Sequence, residues 1–184
     1  RPNPPGSYLL LGTASLGLVL GLNLLLELWG VTGLSESYKS VAETQHGACL
    51  LLGLFCYGVV SPLAEELVFR GAVYGNLRRF WSPVGAAVLS AFLFAFYHGN
   101  LVQGIYAFAM GLFLVYAYEY FGRFTVPAAV HMLANLLAYG AGAVGGEFLS
   151  RYGWAVCTVS LACAGGSLWL LHRGKRNRRR RGWC

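Results

Sequence analysis

Six apolar stretches, joined by short polar connections, dominate the sequence of this 184-residue chain. An α-helix needs about 20 mainly apolar residues to cross a bilayer, and each stretch reaches or approaches that length. The third stretch is short for a span. We predict helices at approximately residues 8–29, 48–74, 84–97, 101–121, 125–144 and 152–171. This pattern predicts an all-α fold, a polytopic transmembrane helix bundle with about six membrane spans.

The composition agrees with a membrane protein and argues against a soluble domain. Hydrophobic residues make up 57% of the chain and charged residues only 11%, whereas soluble domains carry about 25% charged residues. We therefore interpret residues 1–184 as a single integral membrane domain. The five cysteines are scattered and odd in number, which argues against a disulfide framework.

The basic residues indicate how the chain is oriented. With six spans, eleven Lys and Arg side chains fall on one side and two, Lys39 and Arg151, on the other. The positive-inside rule then predicts that the C-terminal tail, residues 173–184, lies on the cytoplasmic side or its stromal or matrix equivalent. We expect the tail to contact anionic lipid head groups. No nucleic-acid-binding domain fits in the chain, so nucleic acid is not an expected partner.

The connection over residues 31–47 has polar residues with apolar residues between them. Two interpretations stay open: an amphipathic helix on the membrane surface, or a plain polar loop. The sequence begins with Arg1 rather than Met, so we expect that a preceding segment is missing from it.

Three polar clusters lie in or beside the apolar stretches. They are Glu65 and Glu66 with Arg70, then His98, then His131 with Asn135. Ionisable groups at membrane depth are costly and usually mark a functional site.

The first cluster divides into a paired and an unpaired carboxylate. On an α-helix, Glu66 and Arg70 stand at i and i+4 and can form an ion pair. Glu65 points about 100° away around the helix, so it remains available to take a proton from water. The alternative is a buried structural ion-pair cluster. Pro62, one turn earlier, removes a backbone hydrogen bond, and we expect a neighbour to satisfy the freed carbonyl.

Gly71 and Gly75 form a Gly-x-x-x-Gly pattern on the same predicted helix. Small residues with this spacing let two membrane helices approach closely. We therefore predict that another helix packs against these two glycines.

The two histidines have both catalytic and structural interpretations. His131 and Asn135 share a helix face and offer two donors, as an oxyanion requires. The alternative is hydrogen bonding between helices. His98 follows an aromatic run, with Phe94 one turn before it on the same face, and can equally be a hydrogen-bonded interface residue. One glutamate with His98 and His131 also matches the ligand types of catalytic zinc. Without a His-Glu-x-x-His motif we favour a site with no metal and no cofactor.

The spacing of these clusters resembles a known family. Residues 65–71 (EELVFRG), 94–98 (FAFYH) and 131–135 (HMLAN) are similar, in order, to the Glu-Glu-x-x-x-Arg, Phe-x-x-x-His and His-x-x-x-Asn motifs of one family. It is the CAAX protease and bacteriocin-processing (CPBP/Abi) family, which includes the type II CAAX prenyl endopeptidases. The resemblance covers a core at roughly residues 49–141, about half of the chain.

The resemblance implies an intramembrane peptidase of the glutamic type, with its active site inside the helix bundle. The catalytic residues that it implies are Glu65, His98, His131 and Asn135, with Glu66 and Arg70 as a supporting pair. In this scheme Glu65 activates water that His98 helps to hold, and His131 and Asn135 stabilise the oxyanion. A membrane-associated peptide or protein is the expected substrate. For His98 to reach the site, two alternatives stay open: the third span starts earlier or is tilted, or residues 98–100 form a break within the membrane.

Two other functions remain open. The first is a non-catalytic family member that acts as an immunity factor, an assembly partner or a subunit of a larger membrane complex. The second is a proton or ion carrier that uses the glutamates and histidines.

Overall fold

The computed structural model describes residues 3–47, 49–141 and 146–180, and these residues are almost entirely helical, with no strand among them. The chain is thus an all-α membrane protein, as predicted. The helices, in chain order, are α1 (Pro5–Leu28), α2 (Glu36–Gly47), α3 (Leu50–Phe80), α4 (Pro83–Tyr97), α5 (Leu101–Phe121), α6 (Thr125–Ala141) and α7 (Gly146–Arg180).

The six predicted apolar stretches are helical over nearly all of their described residues, with Trp29 and Cys49 just outside the helices; residue 48 and residues 142–144 lie outside the described part. Within the described ranges, four helices are long and apolar enough to cross a membrane: α1, α3, α5 and the Arg151–Arg178 part of α7. The 15 residues of α4 and the 17 of α6 are shorter. At 1.5 Å per residue they measure about 22 and 25 Å, against about 30 Å for the bilayer core. The basic tail continues α7 to Arg180, and residues 181–184 lie outside the described part.

The chain divides into two compact units, residues 1–25 with 146–184, and residues 26–145. In the first unit, small residues bring α1 close to α7. A Cβ atom on Gly17 would collide with the carbonyl oxygen of Ser160, and one on Gly21 would lie 2.6 Å from Cγ of Leu161. The Cys157 thiol donates to the Gly21 carbonyl at 3.4 Å. This is the close helix approach that small residues permit in membranes.

The second unit contains every predicted site residue. There α4 and α5 form an antiparallel pair around a tight turn at residues 98–100. His98 caps α4, Gly99 takes the left-handed region with φ +70°, and Asn100 is extended. The Asn100 side chain accepts from the Gln103 amide at 2.9 Å and caps α5. Of the two alternatives, the structure has the break at these residues; its depth in the membrane stays a prediction.

Helix α3 is irregular on both sides of Glu65. It forms π-helical turns over Cys56–Val60 and Leu67–Tyr74, and a regular α-helical turn at Ser61–Glu66 between them. Such π turns often occur at functional sites. They place the two glutamates on a short turn that is offset from the helix before and after it.

Pro62 explains part of this irregularity. In the first π turn the Ser61 amide bonds to the carbonyl of Cys56, five residues earlier. The next amide in that pattern would bond to Tyr57, but residue 62 is proline and has no N–H. Asn135 of α6 donates its Nδ2 to the Tyr57 carbonyl instead, at 3.1 Å. The expectation that a neighbour satisfies the freed carbonyl is confirmed.

The prediction of helix packing at Gly71 and Gly75 is wrong. The nearest atoms to a Cβ at either position are carbonyl oxygens of α3 itself, at 4.0 and 3.6 Å. Gly71 is exposed because the buried face of α3 is the one that carries Arg70. The close approach occurs earlier on α3, at Gly53 and Gly58, where a Cβ would strike side chains of α6.

Residues 31–47, for which two interpretations were open, are mainly helical. A short 3₁₀ turn at Thr32–Leu34 precedes α2. Within the second unit, α6 holds the end of α2 through the Tyr139 hydroxyl, which donates to the Gln45 carbonyl at 3.0 Å. A membrane-surface position for α2 stays a prediction.

Candidate functional site

The predicted ion pair between Glu66 and Arg70 is present at the centre of the second unit. Arg70 Nη1 lies 2.9 Å from Glu66 Oε1, and the two side chains are 1% and 0% exposed. The i, i+4 spacing on α3 brings them together. Burying both charges carries a desolvation cost that only good partners offset. The remaining contacts of Arg70 therefore matter for the stability of the site.

Arg70 has two such contacts besides Glu66. Its Nη2 donates to the Gly111 carbonyl of α5 at 3.3 Å. Its guanidinium carbon lies 4.7 Å from the centre of the Phe94 ring of α4, within the range of a cation–π interaction. The arginine thus ties α3 to both α4 and α5 and fixes the position of Glu66.

His131 of α6 bridges the two glutamates. Its Nδ1 lies 2.9 Å from Glu66 Oε1, and its Nε2 lies 3.6 Å from Glu65 Oε2. An ionised carboxylate can only accept, so Nδ1 carries the hydrogen that is shared with Glu66. This bond directs Nε2 towards Glu65. The sequence predicted His131 beside Asn135 and did not predict that it contacts both carboxylates.

Glu65 is held differently from Glu66. Its Oε1 accepts a hydrogen bond from the Ser61 hydroxyl at 2.7 Å. Its Oε2 is buried and, within the described part of the chain, makes no hydrogen bond, although it faces His131 Nε2. The side chain is 11% exposed, compared with 0% for Glu66. Glu66 Oε2 likewise makes no hydrogen bond within the described residues, but Glu66 is fully buried beside Arg70, so Glu65 is the carboxylate with access to a new partner.

His98 lies at the end of α4, next to the site but not in contact with its carboxylates. Its Nδ1 lies 2.9 Å from the Phe94 carbonyl, so Nδ1 donates and Nε2 is left as an acceptor. The Phe94 ring stands edge-on to His98 at 4.9 Å and to His131 at 5.7 Å. Among the described residues, no hydrogen bond or ion pair joins His98 to Glu65 or His131. The Phe94 ring therefore lies between the two imidazoles, and the Phe94 carbonyl also holds His98.

Asn135 follows His131 by one turn of α6, as the spacing predicted, but its contact lies elsewhere. One N–H of its amide donates to the Tyr57 carbonyl. The His131 Nδ1 donor is likewise engaged by Glu66. The donors that remain for an oxyanion are the second amide N–H of Asn135 and, when protonated, Nε2 of His131.

The zinc alternative required His98 and His131 to converge on one glutamate. In the described ranges, no group of three or more His, Cys, Asp or Glu side chains is placed to hold a metal ion. A zinc site at these residues would require the side chains to rearrange.

Sequence reasoning missed Ser61 and the Gly111 carbonyl. The sequence could have predicted the contact of Ser61 with Glu65, because Ser61 precedes Glu65 by four residues and therefore shares its helix face. The contact of Arg70 with the Gly111 carbonyl could not be predicted, because every residue has a backbone carbonyl and the sequence does not show which one packs against Arg70. Phe94 contacts Arg70 and both histidines, but the sequence predicted only its position beside His98.

Comparison with known proteins decides the family. Residues 47–137 match the model of the family described as type II CAAX prenyl endopeptidase Rce1-like. This part of the chain belongs to the Rce1-like family. The match contains all six predicted site residues and confirms the resemblance to CAAX proteases.

Two curated relatives agree with the Rce1-like assignment. The membrane-embedded CAAX protease MroQ of Staphylococcus aureus (strain USA300) is 32% identical over 88 residues, which cover 45% of this chain and 36% of that protein. A Bacillus subtilis (strain 168) protein named "Putative membrane peptidase YdiL" is 24% identical over 107 residues, which cover 58% of this chain and 43% of that protein. The matches thus span less than half of either relative. No solved structure matches this chain.

Proposed function

We propose that this chain is an intramembrane endopeptidase that hydrolyses peptide bonds of membrane-associated peptides or proteins with water activated by Glu65. The Rce1-like family and the protease names of its relatives support a peptidase. The observation that carries the mechanism is the position of Glu65 Oε2, which belongs to the more exposed of the two carboxylates and faces His131. This oxygen is buried, lacks a hydrogen bond in the described part, and lies 3.6 Å from His131 Nε2.

The reaction uses Glu65 first as a base and then as an acid. Glu65 Oε2 takes a proton from water as the water oxygen forms a bond to the carbonyl carbon of the substrate. The carbonyl oxygen becomes the oxyanion of a tetrahedral intermediate. Glu65 then gives the proton to the amide nitrogen, the C–N bond breaks, and the products are a carboxylate and an amine. In this proposal His98, through its Nε2, helps to hold the water.

His131 and Asn135 stabilise the oxyanion in this scheme. With Nδ1 committed to Glu66, His131 can donate from Nε2 only as the imidazolium. Asn135 contributes its second amide N–H. Two donors aimed at a developing oxyanion in a dry site give strong transition-state stabilisation.

The orientation of the chain is a separate proposal. The basic residues of the tail support a position on the cytoplasmic or equivalent side of the membrane. Thiol labelling of a cysteine placed at Trp169 and of one placed at Lys175 in sealed vesicles tests it. The Lys175 position should react with an impermeant reagent only when the cytoplasmic face is exposed. Reaction of the Lys175 position from the opposite face would contradict the proposed orientation.

Cleavage by purified protein in liposomes tests the peptidase function. The substrates are quenched fluorescent peptides that end in a Cys-aliphatic-aliphatic-X sequence, with and without a farnesyl group on the cysteine. Glu65→Gln and His98→Ala should abolish cleavage while the protein stays folded. Glu43→Gln, which alters an exposed glutamate of α2, should cleave normally. Normal cleavage by Glu65→Gln would refute Glu65 as the base. A co-purifying stoichiometric partner, with a function that survives Glu65→Gln, would favour a non-catalytic role.

A further inference from the structure

The hydrogen bond between Ser61 and Glu65 is unusual for a serine in a helix. Ser and Thr hydroxyls inside helices commonly donate to the carbonyl four residues earlier. Thr13, Thr44 and Thr158 of this chain do so, with distances of 3.0, 2.8 and 2.8 Å. Ser61 donates forwards instead, to Glu65 Oε1 at 2.7 Å.

The carbonyl that Ser61 would otherwise use belongs to Tyr57. That carbonyl is freed from the helix by Pro62, and Asn135 Nδ2 occupies it from α6 at 3.1 Å. The amide of Asn135 thus takes the place of the missing N–H of Pro62 on this carbonyl, while the Ser61 hydroxyl donates to Glu65. Two hydrogen bonds therefore meet beside Pro62: one fixes the Tyr57 carbonyl to α6, and the other fixes the Glu65 carboxylate to Ser61.

We propose that Ser61 is a positioning residue for Glu65. The inference rests on the proposed function, in which Glu65 Oε2 takes the proton from water. A hydroxyl on Oε1 fixes the rotation of the carboxylate, so that Oε2 stays opposite His131 Nε2, 3.6 Å away. Without this bond the carboxylate can turn, and a small misplacement of a catalytic group lowers the rate steeply. Ser61 does not touch the reacting atoms in this arrangement.

Steady-state kinetics on Ser61 variants test the proposal, with the same peptides in liposomes. Ser61→Ala should lower kcat by about 10- to 100-fold, the range for a lost hydrogen bond to a charged group, and leave KM within about twofold. Ser61→Thr, which keeps a hydroxyl, should regain most of kcat. Ser90→Ala is the matched control. It removes a buried serine hydroxyl that donates to the Phe69 carbonyl at 3.1 Å, and it should leave kcat near the wild-type value.

The outcomes separate this inference from the proposed function. If Glu65→Gln is inactive but Ser61→Ala keeps the wild-type kcat, the positioning role is wrong and the peptidase stands. If Ser61→Ala raises KM and leaves kcat unchanged, the serine contributes to binding and the positioning role is also wrong. If Glu65→Gln is fully active, both proposals fail. Should Ser61→Ala not fold, Ser61→Cys keeps the volume with a weaker donor, and an unchanged kcat in that variant overturns the role.

Discussion

Removing Arg70 should strongly destabilise the protein, because it leaves Glu66 buried without its cation. Arg70 Nη1 lies 2.9 Å from Glu66 Oε1, and neither side chain is more than 1% exposed. Removing one partner of a buried ion pair typically costs about 3–5 kcal/mol, since the other charge stays desolvated. Methionine is the appropriate replacement, because its flexible side chain fills an irregular space. We expect Arg70→Met to lower the free energy of unfolding by about 3–5 kcal/mol.

A double-mutant cycle separates the ion pair from the packing of the arginine. Glu66→Gln removes the charge but keeps an Oε1 that can accept from His131 Nδ1. The double variant has no unpaired buried charge, so it should be more stable than the sum of the single changes predicts, by about 1–3 kcal/mol. Reversible denaturant titration in mixed micelles, followed by tryptophan fluorescence, measures each free energy of unfolding.

An exposed ion pair provides the control for this cycle. Lys39 and Glu36 lie 2.8 Å apart on α2, with side-chain exposures of 45% and 87%. Exposed pairs contribute only about 0–1 kcal/mol, so Lys39→Met should have little effect. The reasoning is refuted if Arg70→Met costs no more than Lys39→Met, or if the Arg70 and Glu66 changes are simply additive.

Two further predictions concern the contact between α3 and α6. Gly53→Ala places a methyl group where a tyrosine hydroxyl of α6 lies, and it should destabilise the protein by about 1–3 kcal/mol. Gly71→Ala, at an open position, should be neutral in the same unfolding assay; equal effects would contradict the packing. Asn135→Ala leaves the Tyr57 carbonyl without its donor and should cost about 1–3 kcal/mol. The cost should shrink in a Pro62→Ala background, where residue 62 regains an N–H, and an unchanged cost would show that the freed carbonyl is not the cause.

The sequence predicted the local features of the site well. Apolar length located every helix that carries a site residue, because burial in lipid demands long apolar runs. The i, i+4 spacing predicted the pair of Glu66 with Arg70, and Pro62 predicted a carbonyl in need of a donor. Each of these features depends only on residues within one or two turns of the same helix.

The contacts between helices were not predictable in this way. His131 meets Glu66 across 65 positions of sequence, and only the packing of α6 on α3 brings them together. The same packing brings the Asn135 amide to the Tyr57 carbonyl. At Gly71 and Gly75, by contrast, the sequence predicted a helix contact that the structure does not have. Their spacing suits close packing, but the register of α3 turns them away from the face that carries Arg70.

The single-turnover rate of Glu65→Gln tests the central claim most directly. The measurement uses the purified variant in liposomes with the peptide that the wild-type protein cleaves, before and after treatment with a metal chelator. Loss of a general base lowers a rate by about 10²- to 10⁴-fold, and we predict a loss of that size for Glu65→Gln. We also predict that the wild-type rate does not change on chelation. A Glu65→Gln rate close to the wild-type value, or a wild-type activity that disappears on chelation and returns with zinc, would contradict the account.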